Sequence, residues 1–201
     1  MSRRTYFNEM AETWDNRFCT PQLASFLREL VPKFGLKPGQ SILDVGTGTG
    51  VLIPHLIQAV GSSGSVTAID YAEEMVQICK SKYAHLENVN VRLQDVEEDD
   101  LPSESFDAVT CFGLFPHLGQ KEKALRNINE ALKPGGLLII AHALSSEEIK
   151  AHHASVESSV SNDTLPDEAE MRRLLKSTGF SEIHIEDEQG RYLCICERSS
   201  I

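Results

Sequence analysis

The chain of 201 residues is long enough for one domain with a substantial core, and its 41% hydrophobic share is ordinary for a globular protein. A formal net charge of −11 repels phosphate backbones, so we expect no nucleic acid partner. No stretch approaches the roughly 18 consecutive apolar residues of a membrane span. No apolar segment follows the first residues either, so we expect a cytoplasmic protein without a membrane span.

The first part of the chain predicts helices. Apolar residues recur at helical spacing over residues 5–33, in two segments separated by Pro21. Trp14, the single tryptophan, is expected to pack against the core rather than to contact a ligand.

Strands and helices then alternate. Buried strands are expected at residues 41–45, 65–70, 90–94, 106–112 and 137–141, with Lys133-Pro-Gly-Gly136 ending the helix before the fifth. This alternation predicts a parallel sheet covered on both faces. After a helix at residues 166–178, two short strands at 183–185 and 192–196 follow each other closely and should pair antiparallel.

The glycine-rich turn after the first strand predicts a ligand cradle. Glycines at 46, 48 and 50 let the backbone approach a ligand, and the start of the next helix offers unpaired N–H groups. Asp70 follows Gly50 by about twenty residues, where a nucleotide-binding unit places a carboxylate on ribose hydroxyls. Met75, Cys79 and Tyr83 recur at helical spacing and are expected in the core.

Residues 142–165 interrupt the alternation. Ser145 can begin a short helix, but the rest of the segment is polar and weakly periodic. Long irregular segments inside compact domains are often functional, so we interpret this one as a flap near the active site.

Several motifs together resemble the class I S-adenosylmethionine-dependent methyltransferases, within them the small-molecule group that includes the ubiquinone/menaquinone-type enzymes. They are Leu43-Asp-Val-Gly-Thr-Gly-Thr-Gly50, Ala68-Ile-Asp70, Asp95, Phe106-Asp-Ala-Val109, Leu132-Lys-Pro-Gly-Gly136 and the closing hairpin.

The resemblance covers nearly the whole chain and implies one Rossmann-like α/β domain over residues 1–201. Its seven-stranded, mostly parallel sheet would have the order 3-2-1-4-5-7-6, with strand 7 antiparallel. Residues 1–35 would form an N-terminal helical lid, and residues 142–165 a flap-like insertion.

The resemblance also implies S-adenosyl-L-methionine as the cofactor. Its binding residues would be Asp44, Gly46, Thr47, Gly48, Asp70, Tyr71, Met75, Asp95, Val96 and Phe112. Gly46 and Gly48 would meet the methionine portion, with Asp44 near its ammonium group. Asp70 would accept the ribose hydroxyls and Asp95 the adenine amino group. From the residues alone, Asp44 can instead tie down the turn, Asp70 can cap the next helix, and Asp95 can be a loop acid.

Histidines supply the candidates for proton transfer. His117 follows the fourth strand, at the edge where open α/β sheets keep their chemistry, although it can instead only hydrogen-bond its loop. His142, after the fifth strand, is the second catalytic candidate, and His152 and His153 are further pocket residues. With Asp163 nearby in sequence, these histidines can be considered as metal ligands. Their spacing matches no established pattern, so we expect no metal site.

The sequence therefore favours an enzyme that transfers a methyl group in line from S-adenosylmethionine to a small molecule, as a monomer or homodimer. Residues 111–117 lack the Asn/Asp-Pro-Pro-Tyr/Phe motif of many amino and nucleic-acid-base methyltransferases, which argues against such substrates. One alternative is an NAD(P)-dependent Rossmann oxidoreductase or epimerase. The other is a non-catalytic S-adenosylmethionine-binding regulatory protein.

Overall fold

Two helices precede the sheet, as predicted. The computed structural model describes residues 1–155 and 159–199. Helix α1 (Arg3–Phe18) begins where the Ser2 side chain accepts a hydrogen bond from the Thr5 N–H, and α2 (Pro21–Leu30) begins after the Thr20 cap. Within the described residues, no helix is both long and apolar enough to cross a membrane.

Seven strands form one sheet. They are β1 (Ser41–Val45), β2 (Ser65–Asp70), β3 (Val89–Leu93), β4 (Phe106–Phe112), β5 (Leu132–His142), β6 (Phe180–Glu188) and β7 (Arg191–Arg198). Their order is β3-β2-β1-β4-β5-β7-β6, which confirms the predicted order. The first five strands are parallel, and β7 pairs antiparallel with both β5 and β6.

The sheet lies between two helical layers. The remaining helices are α3 (Ile53–Val60), α4 (Glu73–Tyr83), α5 (Lys121–Ala131), α6 (Ser146–Ala154) and α7 (Glu168–Ser177). Side chains of α5 and α7 pack on one face, and those of α2 and α3 pack on the other. Successive residues of β1 alternate between these cores, since Ile42 joins one cluster and Leu43 the other. This double coverage explains the nearly continuous apolar runs of the central strands.

The predicted boundaries need three corrections. Strand β5 begins at Leu132, so residues 133–136, predicted as a helix stop, belong to the strand, because Leu132 pairs with Phe106 before the register shifts. The closing strands are longer than predicted and are joined by a turn containing Gly190 at φ +76°. Helix α3 begins only at Ile53, so the glycine turn does not lead directly into a helix.

The segment after β5 contains more regular structure than its sequence suggested. Helix α6 begins with a capping box, in which Ser145 and Glu148 bind each other's backbone N–H groups. The Ser146 N–H donates to Asp187 at 2.9 Å, which anchors the helix start to the closing hairpin. Residues 159–167 contain neither helix nor strand, and the part of the predicted flap at 156–158 lies outside the described residues.

The close packing around Gly50 in the glycine turn can be tested by substitution. Gly50 has φ +88°, and an added Cβ would collide with the Tyr83 ring and lie 2.8 Å from Cys79 Sγ. We expect Gly50→Ala to lower the free energy of unfolding by at least about 2 kcal/mol, through backbone strain and overpacking. Urea denaturation measures this change.

Gly35→Ala is the matched control. Gly35 has φ +69°, but no atom lies within 4 Å of an added Cβ, so this variant carries the backbone strain alone. Equal destabilisation of the two variants would contradict the packing account.

Candidate functional site

Three adjoining cavities lie at the carboxyl ends of the parallel strands. The outer cavity, about 450 Å³, is lined by Asp70 at the end of β2, by Tyr71 directly after it, and by Asp95 after β3. The turn cavity, about 170 Å³, is lined by Gly46, Thr47 and Gly48 after β1 and also by Asp70. The histidine cavity, about 450 Å³, lies beyond Phe112 at the end of β4. Open α/β sheets bind their ligands at this edge.

The backbone N–H groups of Gly46, Thr47 and Gly48 have partners within the protein. Ile69 C=O accepts from Gly46 N–H at 2.8 Å and from Thr47 N–H at 3.0 Å. Asp70 Oδ2 accepts from Gly48 N–H at 2.8 Å. These bonds fasten the turn to the end of β2, and they leave its glycine surface to face the cavity.

The unpaired N–H groups were expected at the start of the next helix, and that prediction is wrong. Ile53 N–H donates to Gly50 C=O at 3.2 Å, and His55 N–H donates to Leu52 C=O at 3.0 Å.

Asp44 is a buried acid whose hydrogen bonding is incomplete. Its side chain is 2% exposed, and Oδ1 accepts from the Thr110 hydroxyl at 2.7 Å. Within the part of the chain that the structure describes, Oδ2 has no hydrogen-bond partner. Burial raises the pKa of Asp44 to about 6. Such an oxygen is a site where a cationic ligand group would satisfy an otherwise unfavourable burial.

Asp70 ties two backbone segments together while lining both the outer and turn cavities. Oδ2 binds the Gly48 N–H, and Oδ1 accepts from Ala72 N–H at 2.9 Å, just before α4. Burial raises its pKa. Each carboxylate oxygen has a second lone pair, so the local bonding leaves capacity for ligand hydroxyls.

Asp95 and Val96 lie at the far side of the outer cavity. Asp95 Oδ1 accepts from Glu97 N–H at 2.9 Å, and its Oδ2 lies 3.3 Å from the Arg4 guanidinium. Arg4 also covers the Tyr71 ring, 5.2 Å from the ring centroid. The outer cavity therefore has an acidic floor and a cationic, aromatic wall.

Helix α1 lies across the entrance. Phe7 contacts Tyr71 and His117 edge to face, with centroids 6.3 and 5.2 Å apart, and Asp15 accepts from Thr49 Oγ1 and Lys82. Trp14 is half-buried and lines the turn cavity, so it faces this site as well as packing in the fold. The buried Met75 packs against Ala11 and also lines the turn cavity.

His117 lies where the three cavities meet and lines all of them. It ends a short 3₁₀ turn, Phe115–His117, just after β4. Its Nδ1 lies 2.8 Å from Asp163 Oδ2. Within the described residues its Nε2 has no protein partner, so this nitrogen is available to a ligand.

The histidine cavity brings together the other predicted histidines. His142, at the end of β5, lines it together with His152 and His153 of α6, in otherwise apolar surroundings that include Phe26 and Ile149. Burial lowers the pKa of His142 to about 3, so His142 is neutral at neutral pH, and its Nε2 has no partner in residues 1–155 and 159–199. Within the described residues, no three His, Cys, Asp or Glu side chains are arranged to hold a metal.

Asp163 and Arg3 are site residues that sequence reasoning did not assign. Asp163 is 3% exposed and binds Arg3 through both carboxylate oxygens as well as His117. Burial alone would raise the pKa of Asp163, but the bonds from His117 and Arg3 outweigh it and hold the pKa well below its usual range. Proximity to the histidines in sequence was the one available indication for Asp163, and Arg3 had none.

Comparisons with known proteins agree with this architecture. Residues 36–189 match a family described as a methyltransferase domain. The demethylmenaquinone methyltransferase of Staphylococcus aureus strain MRSA252 is 39% identical over 113 residues, or 56% of this chain and 46% of that protein. The chain thus spans about half the length of the curated relatives it matches.

Solved structures share the fold. A SAM-dependent methyltransferase from Aquifex aeolicus has a TM-score of 0.71 at 24% identity, covering 98% of this chain and 100% of that one. Phosphoethanolamine N-methyltransferase 2 of Haemonchus contortus, solved with S-adenosylhomocysteine, has a TM-score of 0.76 at 18% identity, covering 98% and 58%. The sheet order and the strand-end cleft define a class I methyltransferase fold. The chain belongs to the methyltransferase domain family, as its motifs indicated.

The raised pKa of Asp44 predicts how stability depends on pH. Because the folded protein holds this proton up to about pH 6 and the unfolded chain loses it near pH 4, stability falls as pH rises between these values. Asp44→Asn removes this loss, so between about pH 4 and pH 7 the variant should gain on the order of 2 kcal/mol relative to wild type. Urea denaturation at both pH values measures the difference.

Asp107→Asn gives the opposite control. The pKa of Asp107 is lowered by Lys133 and the Ser41 N–H, which outweigh its burial, so its stabilisation is lost as pH falls. The variant should therefore lose stability relative to wild type as pH rises. A pH profile of Asp44→Asn parallel to wild type would refute the assignment for Asp44.

Proposed function

We propose that this chain transfers a methyl group from S-adenosyl-L-methionine to a small molecule, with the cofactor in the outer and turn cavities. The observation that carries the proposal is the placement of Asp70 and Asp95 around one cleft at the ends of two adjacent strands, with Asp44 buried one residue before the end of the next strand, β1. Family membership supports methyl transfer, and the S-adenosylhomocysteine in the Haemonchus contortus structure supports the cofactor. The cofactor supplies a methyl group already activated by its sulfonium.

The residues of the cleft fit the parts of this cofactor. The unpaired Oδ2 of Asp44 suits the ammonium of the methionine portion, beside Gly46, Thr47 and Gly48. Asp70 suits the ribose hydroxyls. The adenine would lie between Tyr71 and Val96, with its amino group toward Asp95. Met75 and Phe112 would form the apolar sides of the turn cavity.

The histidine cavity suits the methyl acceptor. Phe112 lines both this cavity and the turn cavity, so a molecule bound there would lie next to the cofactor. Alignment of acceptor and methyl group is a proximity effect worth up to about 7–11 kcal/mol, and a general base adds less. His117 is the proposed base, and the buried, neutral His142 would orient the acceptor.

We further propose that residues 1–35 act as a lid over the cofactor and that the segment 142–165 covers the acceptor. The contacts of α1 with Tyr71 and His117 support the first role, and the cavity-lining residues of α6 support the second. We also propose that the enzyme is cytoplasmic and is a monomer or homodimer. The net charge of −11 supports the proposal that it has no nucleic acid partner. The name of the Staphylococcus aureus relative accords with a small acceptor.

Asp70→Ala tests the cofactor site. Loss of two acceptor oxygens should weaken S-adenosylhomocysteine binding at least about tenfold, equivalent to about 1.4 kcal/mol, as measured by calorimetry. Asp107→Ala is the matched control, since Asp107 also accepts a backbone N–H, from Ser41, but at the amino ends of the parallel strands. Equal affinities for wild type and Asp70→Ala would remove Asp70 from the site.

A transfer assay distinguishes an enzyme from a protein that only binds the cofactor. The protein, incubated with methyl-labelled S-adenosylmethionine and a cell metabolite extract, should yield a labelled small molecule. We expect Asp70→Ala to yield less product at limiting cofactor concentration. Cofactor binding without any labelled product would favour a regulatory protein.

A further inference from the structure

We propose that Asp163 is the positioning residue that holds His117 in the tautomer able to take a proton from the methyl acceptor. The proposal rests on the proposed function and deepens it, because it states how the base is prepared. It also implies an acceptor that loses a proton during transfer, as a hydroxyl or thiol does.

The contact between the two side chains fixes the direction of the hydrogen bond. Asp163 is ionised, since bonds from His117 and Arg3 hold its pKa well below the usual range despite its burial. An ionised carboxylate only accepts hydrogen bonds, so Nδ1 of His117 must donate across the 2.8 Å contact. The neutral imidazole then carries its lone pair on Nε2, which has no partner among the described residues.

Arg3 makes this arrangement specific for a carboxylate. Its Nε donates to Asp163 Oδ2 at 2.9 Å and to Oδ1 at 3.2 Å, and it lines the outer cavity. Because Arg3 and His117 both donate to Asp163, the side chain at this position must accept hydrogen bonds from two sides, as a carboxylate does. The pair joins α1 to the segment after α6 beside His117.

Two neighbouring histidines, His153 and His142, are less suited than His117 to act as the base. His153 Nδ1 must donate to the Asp163 carbonyl at 2.5 Å, and burial lowers the pKa of His153. His142 is fully buried with a pKa of about 3, too low for it to hold a proton at neutral pH. His117 alone among these three lines all three cavities and contacts a carboxylate.

The proton balance follows from this geometry. The acceptor's O–H or S–H bond gives its proton to His117 Nε2, and the acceptor's electron pair forms the new bond to the methyl carbon. The carbon–sulfur bond breaks with its electron pair left on sulfur, which becomes neutral. Asp163 stabilises the imidazolium that results, as a carboxylate does in histidine-based catalytic sites.

Asp163→Asn is the decisive variant because it keeps the side-chain shape. An amide has one acceptor atom, and since Arg3 can only donate, the amide oxygen should face Arg3. The amide N–H₂ then faces His117 Nδ1 and forces the proton onto Nε2. Nitrogen-15 NMR of the His117 ring at about pH 8, where an ordinary imidazole is neutral, distinguishes the tautomers.

We expect the Nδ1–H form in wild type and the Nε2–H form in Asp163→Asn. Asp187→Ala is the control, since Asp187 anchors the start of α6 but does not contact the histidines; it should keep the wild-type tautomer. An Nε2–H form in wild type, or an unchanged tautomer in Asp163→Asn, would overturn the proposal.

Two further measurements separate this proposal from the proposed function. S-adenosylhomocysteine should bind wild type and Asp163→Asn within about twofold, because Asp163 lines neither cofactor cavity. With the acceptor returned by the transfer assay, Asp163→Asn should lower kcat at least about 100-fold, the scale of general base catalysis, with little change in the cofactor KM. Failure of wild type to bind S-adenosylhomocysteine would refute the proposed function but leave the tautomer result standing.

Discussion

The hydrogen bonds between the glycine turn and the end of β2 set the geometry on which the whole cleft depends. Ile69 accepts from Gly46 and Thr47, and Asp70 accepts from Gly48. These bonds hold the ends of two central parallel strands in register just where the cavities open. They also explain why a carboxylate can be buried there, because backbone N–H groups satisfy it before any ligand binds. Asp70 therefore has a structural role in addition to the binding role proposed for it.

Asp44 presents the complementary case. One of its oxygens is satisfied by Thr110, and the other has no partner among the described residues, so burial of this oxygen is unfavourable. Functional sites commonly concentrate groups whose pKa is shifted in this way. A ligand cation beside Asp44 would remove the unfavourable free energy of burying this oxygen. That gain would contribute to the affinity of the site.

The sequence predicts the central strands closely because both of their faces are buried. The predicted bounds of residues 65–70 and 106–112 match β2 and β4, and the resemblance supplied the order of the strands. Strand β6 was predicted too short because it is an edge strand with an irregular register between Ser181 and His184. Glu182 there has φ +47°, which disrupts the period of two on which strand prediction depends.

The polar links of the site were harder to predict. The Arg3–Asp163 pair joins residues 160 positions apart; only proximity to the histidines in sequence indicated Asp163, and no local pattern marks Arg3. Only the fold shows that α1 and the segment after α6 meet at His117. The residue types at strand ends were thus predictable from spacing and resemblance, whereas the partners that set their protonation required the tertiary structure.

The central claim is that this cleft binds S-adenosylmethionine rather than a nicotinamide dinucleotide. Calorimetric titration of the wild-type protein with S-adenosylhomocysteine and, separately, with NAD tests it most directly, because neither titration requires the acceptor. We expect saturable binding of S-adenosylhomocysteine and none of NAD. Tight NAD binding with no response to S-adenosylhomocysteine would contradict the account.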